Sequence, residues 1–514
     1  MVMTMTTSDV QVAIIGAGFS GLGAAIKLTQ EGISDFVLLD RGSDFGGTWR
    51  DNTYPGAACD VPSHLYSYSF ALNPSWSRSY SHQPEIHRYI NGVADTYGVR
   101  SKARFNTEVT QANWDDKASQ WVIDTMSDGV KKQIRAAVMV GAVGPLCEPN
   151  LPDIKGFNDF EGKVVHSARW DNDFDYSGKR VAVIGTGASA IQIVPQLGKI
   201  AAQLDVYQRT APWIVPRNER RYLKAENWAF KNVPGYQAAA RGTIYTASEF
   251  VAFGMTYAPA VLKPVEGVCR ATIARAIKDP VLREKATPKF AVGCKRILKS
   301  NEWYPTLARD NVDLVTDGID EITSTGIKTA DGTVRDVDVI VVATGFHVTD
   351  SPAFERIVGA DGRSLAEVWE EGGMQGYKGS FVHGFPNMML MVGPSTGLGH
   401  TSMVYMIESQ LNYLVDYLKT ARSGSITRVD VKADAQRDYN TYIQRKLRRS
   451  VWTNGGCASW YKDAHGNITT LWPGFTFDFR RITRSFDAGA FDIVRGLPKS
   501  SAATTSTVTV DAVS

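Results

Sequence analysis

The sequence predicts an α/β fold: two Rossmann-like dinucleotide-binding domains with a helical insertion. Three observations carry that prediction. Two glycine turns, GAGFSG at 16–21 and GTGASA at 185–190, each follow a short apolar run and open a helical pattern. Each helical pattern then leads to a second apolar run, FVLLD or LDVYQR, which completes a strand–turn–helix–strand unit. Residues 218–290, by contrast, show helical periodicity in LKAENWAFKNV and ATIARAIKDPVLREKA with no glycine turn.

In the first unit, Gly16 allows the tight turn and Gly18 lets the backbone approach a pyrophosphate. Gly21 lets the helix pack closely on its strand, so that the pyrophosphate meets the helix N-terminus. Asp40, about 20 residues beyond the turn, stands where a carboxylate accepts hydrogen bonds from a ribose diol. Next comes DFGGTWRDNTYPGAACDVPSHLYSYSF, in which Gly46 and Gly47 invite a second close approach to a flat ligand. Trp49, Tyr54 and Tyr66 there either stack on that ligand or simply pack. Asp60 lies between Cys59 and Val61-Pro62. It reads either as a solvated loop residue or as a buried acid that needs a cation. Residues 121–123 and 136–143 read as further strands, the latter wholly apolar as in a buried parallel sheet.

The second unit has Gly185 and Gly187, with Ala190 in the third glycine's place. Pro195 falls inside its helical pattern and predicts a kinked or shortened helix. Its second strand ends in Gln208-Arg209-Thr210 where the first unit has Asp40. An acid there repels a ribose 2′-phosphate, whereas Arg209 can bind one through charge-assisted hydrogen bonds. The second unit therefore predicts NADPH over NADH, and the first an adenosine without a 2′-phosphate, as in FAD.

Further along, Lys295 and Arg296 stand together in CKRILKS, a pair whose meaning depends on what lies opposite. VRDVDVIVVATGFH is an apolar strand that closes the second fold. FPNMMLMVGPSTGLGHTSMVYMIESQLNYL is a strand, a glycine-rich turn and a helix that return the chain to the first fold. Backbone amides near Thr401 and Ser402, at that helix's start, are expected to face the pyrimidine end of a flavin. SVWTNGGCASWYKDAHGNITTLWPGFTFDFRR, rich in tryptophan and glycine, is a wall for a cleft. The expected boundaries are 1–150 with 386–497 for a discontinuous first domain and 151–217 with 291–385 for the second. The insertion is expected at 218–290 and a disordered tail at 498–514.

Composition narrows the function classes. The 514 residues allow two or three domains, and 43% hydrophobic with 21% charged residues are ordinary globular values. A net charge of +3 with no basic block argues against nucleic-acid binding. Five dispersed cysteines without a CxxC predict a reducing compartment, and neither a disulfide scaffold nor a zinc or other metal site. The N-terminus does not resemble a signal peptide and no apolar run reaches spanning length, so a cytoplasmic protein without membrane insertion is expected. Oligomeric state is not readable from the sequence.

Between the two units lies FEGKVVHSARWD at 160–171, which reads as a linker from one fold to the next. It also matches the FxGxxxHxxxW fingerprint, followed by Pro or Asp, at Phe160, Gly162, His166, Trp170 and Asp171. With GAGFSG, GTGASA, GGTW, YPGAACD, CKR, ATGF and TGLGHTS in order, nearly the whole chain resembles a type I Baeyer–Villiger monooxygenase of the class B flavoprotein group. Two departures, Ala190 for glycine and Asp40 where many members carry Glu, keep the roles those positions serve.

The resemblance implies FAD and NADPH as cofactors, O2 as co-substrate and a small-molecule ketone as substrate. It implies that a C4a-peroxyflavin attacks the ketone and that one oxygen is inserted to give an ester or lactone. Arg296 resembles the active-site arginine, and Asp60 the acid that orients it. Gly47, Thr48 and Trp49 belong to the flavin site by the same resemblance. Lys295 and Arg209, with Thr210 beside them, resemble the contacts to the 2′-phosphate. Trp460 resembles a tryptophan of the mobile segment over the nicotinamide. His166 is expected to couple NADP binding to domain closure rather than to act as a base. The rival readings are a flavin-containing N- or S-oxygenase of the same fold and, from another class, a non-catalytic nucleotide-sensing protein.

Overall fold

The computed structural model describes residues 7–463 and 465–496. The tail expected to be disordered, 498–514, lies outside them. The first sheet is built from β1 (Thr7–Ile15), β2 (Phe36–Leu39), β3 (Ala103–Arg104), β4 (Glu108–Asp115), β5 (Gln120–Ser127) and β6 (Val130–Gly141). β1 lies between β6 and β2, parallel to both, and β5 runs antiparallel to β6. β2 is buried at all four positions, as a strand covered on both faces must be. β5 instead alternates buried and half-buried residues.

Two late strands join this sheet. Met388–Leu390 pairs parallel with β6, and Ile357–Val358 pairs parallel with β4. Leu365 and Trp369 pack in the same core, although these residues fall within the 291–385 segment that the sequence assigns to the second fold. The helix Met403–Ser423 lies against the first helix, Phe19–Gln30, where a Cβ on Gly23 would meet Leu411 Cδ1 at 2.7 Å.

The second sheet is wholly parallel. Its chain order runs through β7 (Lys163–His166), β8 (Arg180–Ile184) and β9 (Gln203–Tyr207). A separate two-stranded ribbon of β10 (Ile214–Val215) and β11 (Leu298–Lys299) follows, then β12 (Val312–Val315) of the sheet. β13 (Ile319–Ile322), β14 (Gly326–Thr329) and β15 (Val334–Asp336) form an antiparallel three-stranded sheet, and β16 (Val339–Val342) completes the second sheet in the order β12-β9-β8-β16-β7. The fingerprint stretch is therefore not a linker: His166 pairs in register with Val342 at the sheet edge. Its strand of four residues, KVVH, is too short for periodicity to reveal. The helix Ala190–Leu197, which contains Pro195, is only eight residues long.

The insertion forms helices at Lys224–Asn232, Tyr236–Thr256, Lys263–Ala276 and Pro280–Lys285. Met255, Leu262 and Cys269 from it share a core with Val451, Trp452 and Trp472 of the tryptophan-rich wall. Among the described residues no helix is long and apolar enough to cross a membrane.

The expectation against a disulfide is corrected. Cys294 and Cys457 are bonded across 163 residues, leaving Cys59, Cys147 and Cys269 as free thiols. Sequence spacing hides this contact because the CKR loop and the wall meet only in the fold: Ala291 N–H donates to the Gly455 carbonyl at 3.0 Å. A Cβ on Gly455 would lie 2.5 Å from Cys294 Cβ, so glycine permits the approach.

Candidate active site

Both glycine turns are built alike. Gly16 has φ +108° and Gly185 φ +114°, and a Cβ on either would lie 2.5 Å from a carbonyl of the neighbouring strand end, Ala142 O or Ala343 O. Only glycine fits such a turn. A Cβ on Gly21 would lie 1.8 Å from Gly16 O, so the helix start sits directly on the turn. The matching position in the second unit is Ala190, fully buried, where the helix begins from Ser189 in a helical rather than extended conformation. Gly18 and Gly47 face each other across a narrow gap, a Cβ on Gly47 approaching Gly18 Cα to 3.0 Å, while Gly187 has open space beside it.

Asp40 is buried, and its carboxylate accepts from Ala17 N–H and Gly42 N–H at 2.7 Å each and from Arg50 Nη1 at 2.8 Å. The acid thus braces the turn around Gly16 to Gly18. Thr48 begins a short helix after Gly47, and Trp49 Nε1 donates to Tyr66 Oη at 3.0 Å. With Phe19 edge-on to Tyr66 at 5.3 Å, these rings form one side of the cradle. At the helix start expected to face a flavin, Ser402 caps the helix by accepting from Val404 N–H. Thr401 Oγ1 and both ring nitrogens of His400 are buried there without a hydrogen-bond partner. His400 Nε2 lies 3.7 Å from Glu249 Oε1, and the unpaired buried polar atoms at this helix start fit a bound polar group.

The structure brings Asp60 and Arg296 together from 236 residues apart. Arg296 Nε donates to Asp60 Oδ2 at 2.7 Å and Nη2 to Oδ1 at 2.8 Å, a two-pronged pairing. Arg296 Nη1 donates to the Leu398 carbonyl of the TGLGHTS turn at 3.1 Å. The side chains are 31% and 25% exposed, so the pair is recessed but reachable. Burial pushes the Asp60 carboxyl up, yet the Arg296 charge and its hydrogen bonds outweigh this and hold it at about 2. The charge of Asp60, against the opposing pull of burial, raises Arg296 well above its ordinary value. Arg296 is a permanent cation.

Lys295 and Arg209 approach from the CKR loop and the end of β9. Burial, and then the Arg209 charge, lower the Lys295 ammonium from its ordinary value. Among the described residues neither side chain makes an ion pair or hydrogen bond; Lys295 sits over the Phe290 ring at 5.3 Å. Two neighbouring cations without a carboxylate fit an anion such as a phosphate. Thr210 lies beside them, its carbonyl accepting from Thr186 Oγ1 of the glycine turn.

The fingerprint residues are held by contacts within their own stretch and with Tyr176 just beyond it. A Cβ on Gly162 would lie 2.4 Å from the Phe160 ring, Trp170 stacks on Tyr176 at 4.8 Å, and Lys163 Nζ meets Asp171 Oδ2 at 2.6 Å. His166 Nδ1 accepts from Ala168 N–H, so Nε2 carries the proton and donates to the Gly345 carbonyl of ATGF at 3.2 Å. Burial lowers its pKa, against the pull of that hydrogen bond, so the ring stays neutral. It fastens the edge strand to the turn that closes the second fold.

Trp460 is half exposed and rests on Tyr461 at 4.5 Å. It is Tyr461, buried, that lies within reach of the pair's charges: burial pushes its hydroxyl up to about 12, with Arg296 and Asp60 acting in opposite directions. Sequence reasoning also passed over Gln192. Its side chain accepts from Tyr54 Oη and Ala58 N–H and donates to the Ala58 carbonyl, docking the second glycine-turn helix onto the YPGAACD loop. A single glutamine inside an apolar helix carries no signal of that contact.

Known proteins match this geometry. The family model described as flavin-binding monooxygenase-like matches residues 9–225. A Baeyer–Villiger monooxygenase of Streptomyces coelicolor is 50% identical over 490 residues, covering 95% of this chain and 93% of its own. One from Pseudomonas aeruginosa is 47% identical, covering 94% and 91%. Among solved structures, cyclohexanone monooxygenase from a Rhodococcus species bound to NADP+ superposes with a TM-score of 0.84 at 28% identity, covering 96% of this chain and 100% of its own. OTEMO in complex with FAD and NADP gives 0.84 at 28% identity, covering 94% and 99%. With paired glycine turns, a cradle fit for a flat cofactor and a recessed Arg–Asp pair, the chain belongs to the Baeyer–Villiger monooxygenase family of flavin-binding enzymes.

Proposed function

We propose that the enzyme uses FAD, NADPH and O2 to insert one oxygen atom next to a ketone carbonyl, giving an ester or lactone, by way of the C4a-peroxyflavin its family resemblance implies. The observation that carries this reading is the guanidinium of Arg296, fixed in a recess by both oxygens of Asp60. When bound, FAD reduced by NADPH supplies the activated oxygen. Adding that oxygen to a carbonyl places negative charge on oxygen atoms, and a preorganised cation lowers the barrier to it. Asp60 fixes the fork's direction through Nε and Nη2 and leaves Nη1, which has one N–H on the Leu398 carbonyl, with a second N–H to offer.

The remaining roles follow from placement. The turns at Gly16, Gly18 and Gly21 and at Gly185, Gly187 and Ala190 take the two pyrophosphates at helix N-termini. Asp40 braces the first of them, and Gly47, Thr48 and Trp49 border the flavin. Arg209 and Lys295, beside Thr210, hold the 2′-phosphate. Trp460 rides on the segment that covers the nicotinamide. His166, with Phe160, Gly162, Trp170 and Asp171, couples NADP binding to domain closure. In this reading 1–150 and 386–497 bind FAD, 151–217 and 291–385 bind NADP, and 218–290 shapes the substrate cleft. The strand Ile357–Val358 and its neighbours belong with the FAD sheet.

The purified enzyme is expected to be yellow and, with NADPH, to convert some member of a panel of cyclic, linear and aryl ketones to a product one oxygen heavier. Mass spectrometry of each reaction decides it. A panel yielding only N- or S-oxides from amine and sulfide controls would replace this reading with the N- or S-oxygenase.

A further inference from the structure

The ribbon of β10 and β11 belongs to neither large sheet, and its two strands are only two residues each. What it does is set two cations side by side. Val215 pairs with Lys299, and Arg217 follows two residues later. Asn301 locks the end of the ribbon, accepting from Arg217 N–H and donating to the Arg217 carbonyl, each at 2.8 Å. From this platform Lys299 Nζ donates to the Asp60 carbonyl at 3.0 Å, and Arg217 Nη2 to the Cys59 carbonyl at 3.1 Å.

Both cations also lie over one ring, Tyr80, at 5.2 Å for Lys299 and 5.0 Å for Arg217. Tyr80 is on the segment that pairs with the Asp60 loop, where Cys59 N–H donates to the Ser81 carbonyl and Ser63 N–H to the Ser79 carbonyl. Arg217 is further held 3.3 Å from Glu219, which in turn meets Arg78 at 2.8 Å. Among the described residues Lys299 makes no ion pair: burial pulls its ammonium below the ordinary value, partly offset by Asp60, while Arg296 and Arg217 add repulsion. The half-buried ammonium thus spends its hydrogen bond on a backbone carbonyl rather than on a carboxylate.

We propose that Lys299 and Arg217 are positioning residues. They clamp the two peptide carbonyls on either side of the Asp60 Cα, those of Cys59 and Asp60, and so fix the direction from which Asp60 presents Arg296. The clamp crosses the molecule, since Asp60 and Tyr80 belong to the N-terminal segment and Arg217, Arg296 and Lys299 to segments flanking the insertion. It therefore registers the second fold against the first through the same atoms that aim the reactive cation. This rests on the proposed role of Arg296.

The test compares Lys299→Met, Lys299→Arg and Arg217→Met in the FAD-loaded enzyme. Ester formed per NADPH consumed is expected to fall on the order of 10- to 100-fold in both methionine variants, because small misplacement of a catalytic group has that effect. Amide hydrogen exchange in the peptide covering 57–63 is expected to speed up in the same variants, with FAD content retained, and Lys299→Arg is expected to restore both readouts. Unchanged coupling overturns the clamp. So does lower coupling with unaltered exchange at 57–63, or without rescue by arginine. Wild-type enzyme that forms no ester would sink the ketone reading, whereas the exchange measurement judges the clamp independently.

Discussion

Arg296 gives two of its hydrogen-bonding edges to Asp60 and one nitrogen, Nη1, to the Leu398 carbonyl, so three segments far apart in sequence meet on one guanidinium. That geometry makes arginine irreplaceable by charge alone. Arg296→Ala is expected to lower the rate of ester formation roughly 100-fold or more, the effect of losing one preorganised donor to a developing oxyanion. Arg296→Lys should recover little, because one ammonium cannot span both carboxylate oxygens and still reach Leu398. Steady-state product assays at saturating NADPH check this, and near wild-type ester formation in either variant would remove Arg296 from its assigned role.

Arg209 and Lys295 lie close enough for one to shift the other, without a carboxylate between them. Arg209→Ala is expected to raise KM for NADPH while sparing NADH. Losing a charge-assisted hydrogen bond worth roughly 1.5–3 kcal/mol corresponds to about 10- to 150-fold. Parallel titrations with the two cofactors provide the readout, and an equal loss with both would place the 2′-phosphate elsewhere.

The glycine turns were legible because their signal is local: positive φ at Gly16 and Gly185 and the strand–helix context are written in adjacent residues. The late return of the chain was legible in outline for the same reason, as Met388–Leu390 does join the first sheet. Asp60 and Arg296 are different. Asp60 alone reads equally as a solvated residue or as a buried acid in need of a cation, Arg296 alone says nothing of its partner, and only the resemblance to a family linked them across 236 positions. Lys299, Arg217, Gln192 and Tyr461 gave no signal at all, since their partners are backbone carbonyls or groups in other segments. The edge strand at Lys163–His166 and the Cys294–Cys457 contact were misread because pairing partners across 163 or more residues leave no trace in spacing.

The cysteine pair makes a count. Wild-type enzyme purified without reductant and unfolded in denaturant is expected to titrate three thiols of its five cysteines, and all five after reduction. Cys294→Ser should lower the thermal midpoint, since a cross-link closing a long loop stabilises a fold by roughly 2–4 kcal/mol. Five reactive thiols before reduction would show that the two sulfurs are neighbours but not bonded.

His166 sets the pH dependence of the join between the fingerprint strand and the ATGF turn. Burial lowers its pKa below the ordinary 6.5, so the folded protein favours the neutral ring with Nε2–H on the Gly345 carbonyl. The unfolded chain binds that proton more readily, and stability therefore rises with pH through this interval. The contribution is fully present above pH 6.5 and is lost as pH falls through the lowered folded value. His166→Gln keeps a donor that can reach Gly345 but has no proton to gain. Wild type is thus expected to lose more thermal stability than the glutamine variant between pH 7.5 and about 5. Calorimetric midpoints measured across that range check the sign, and parallel curves for the two proteins would mean that folding leaves the pKa of His166 unchanged and that its partner assignment is wrong.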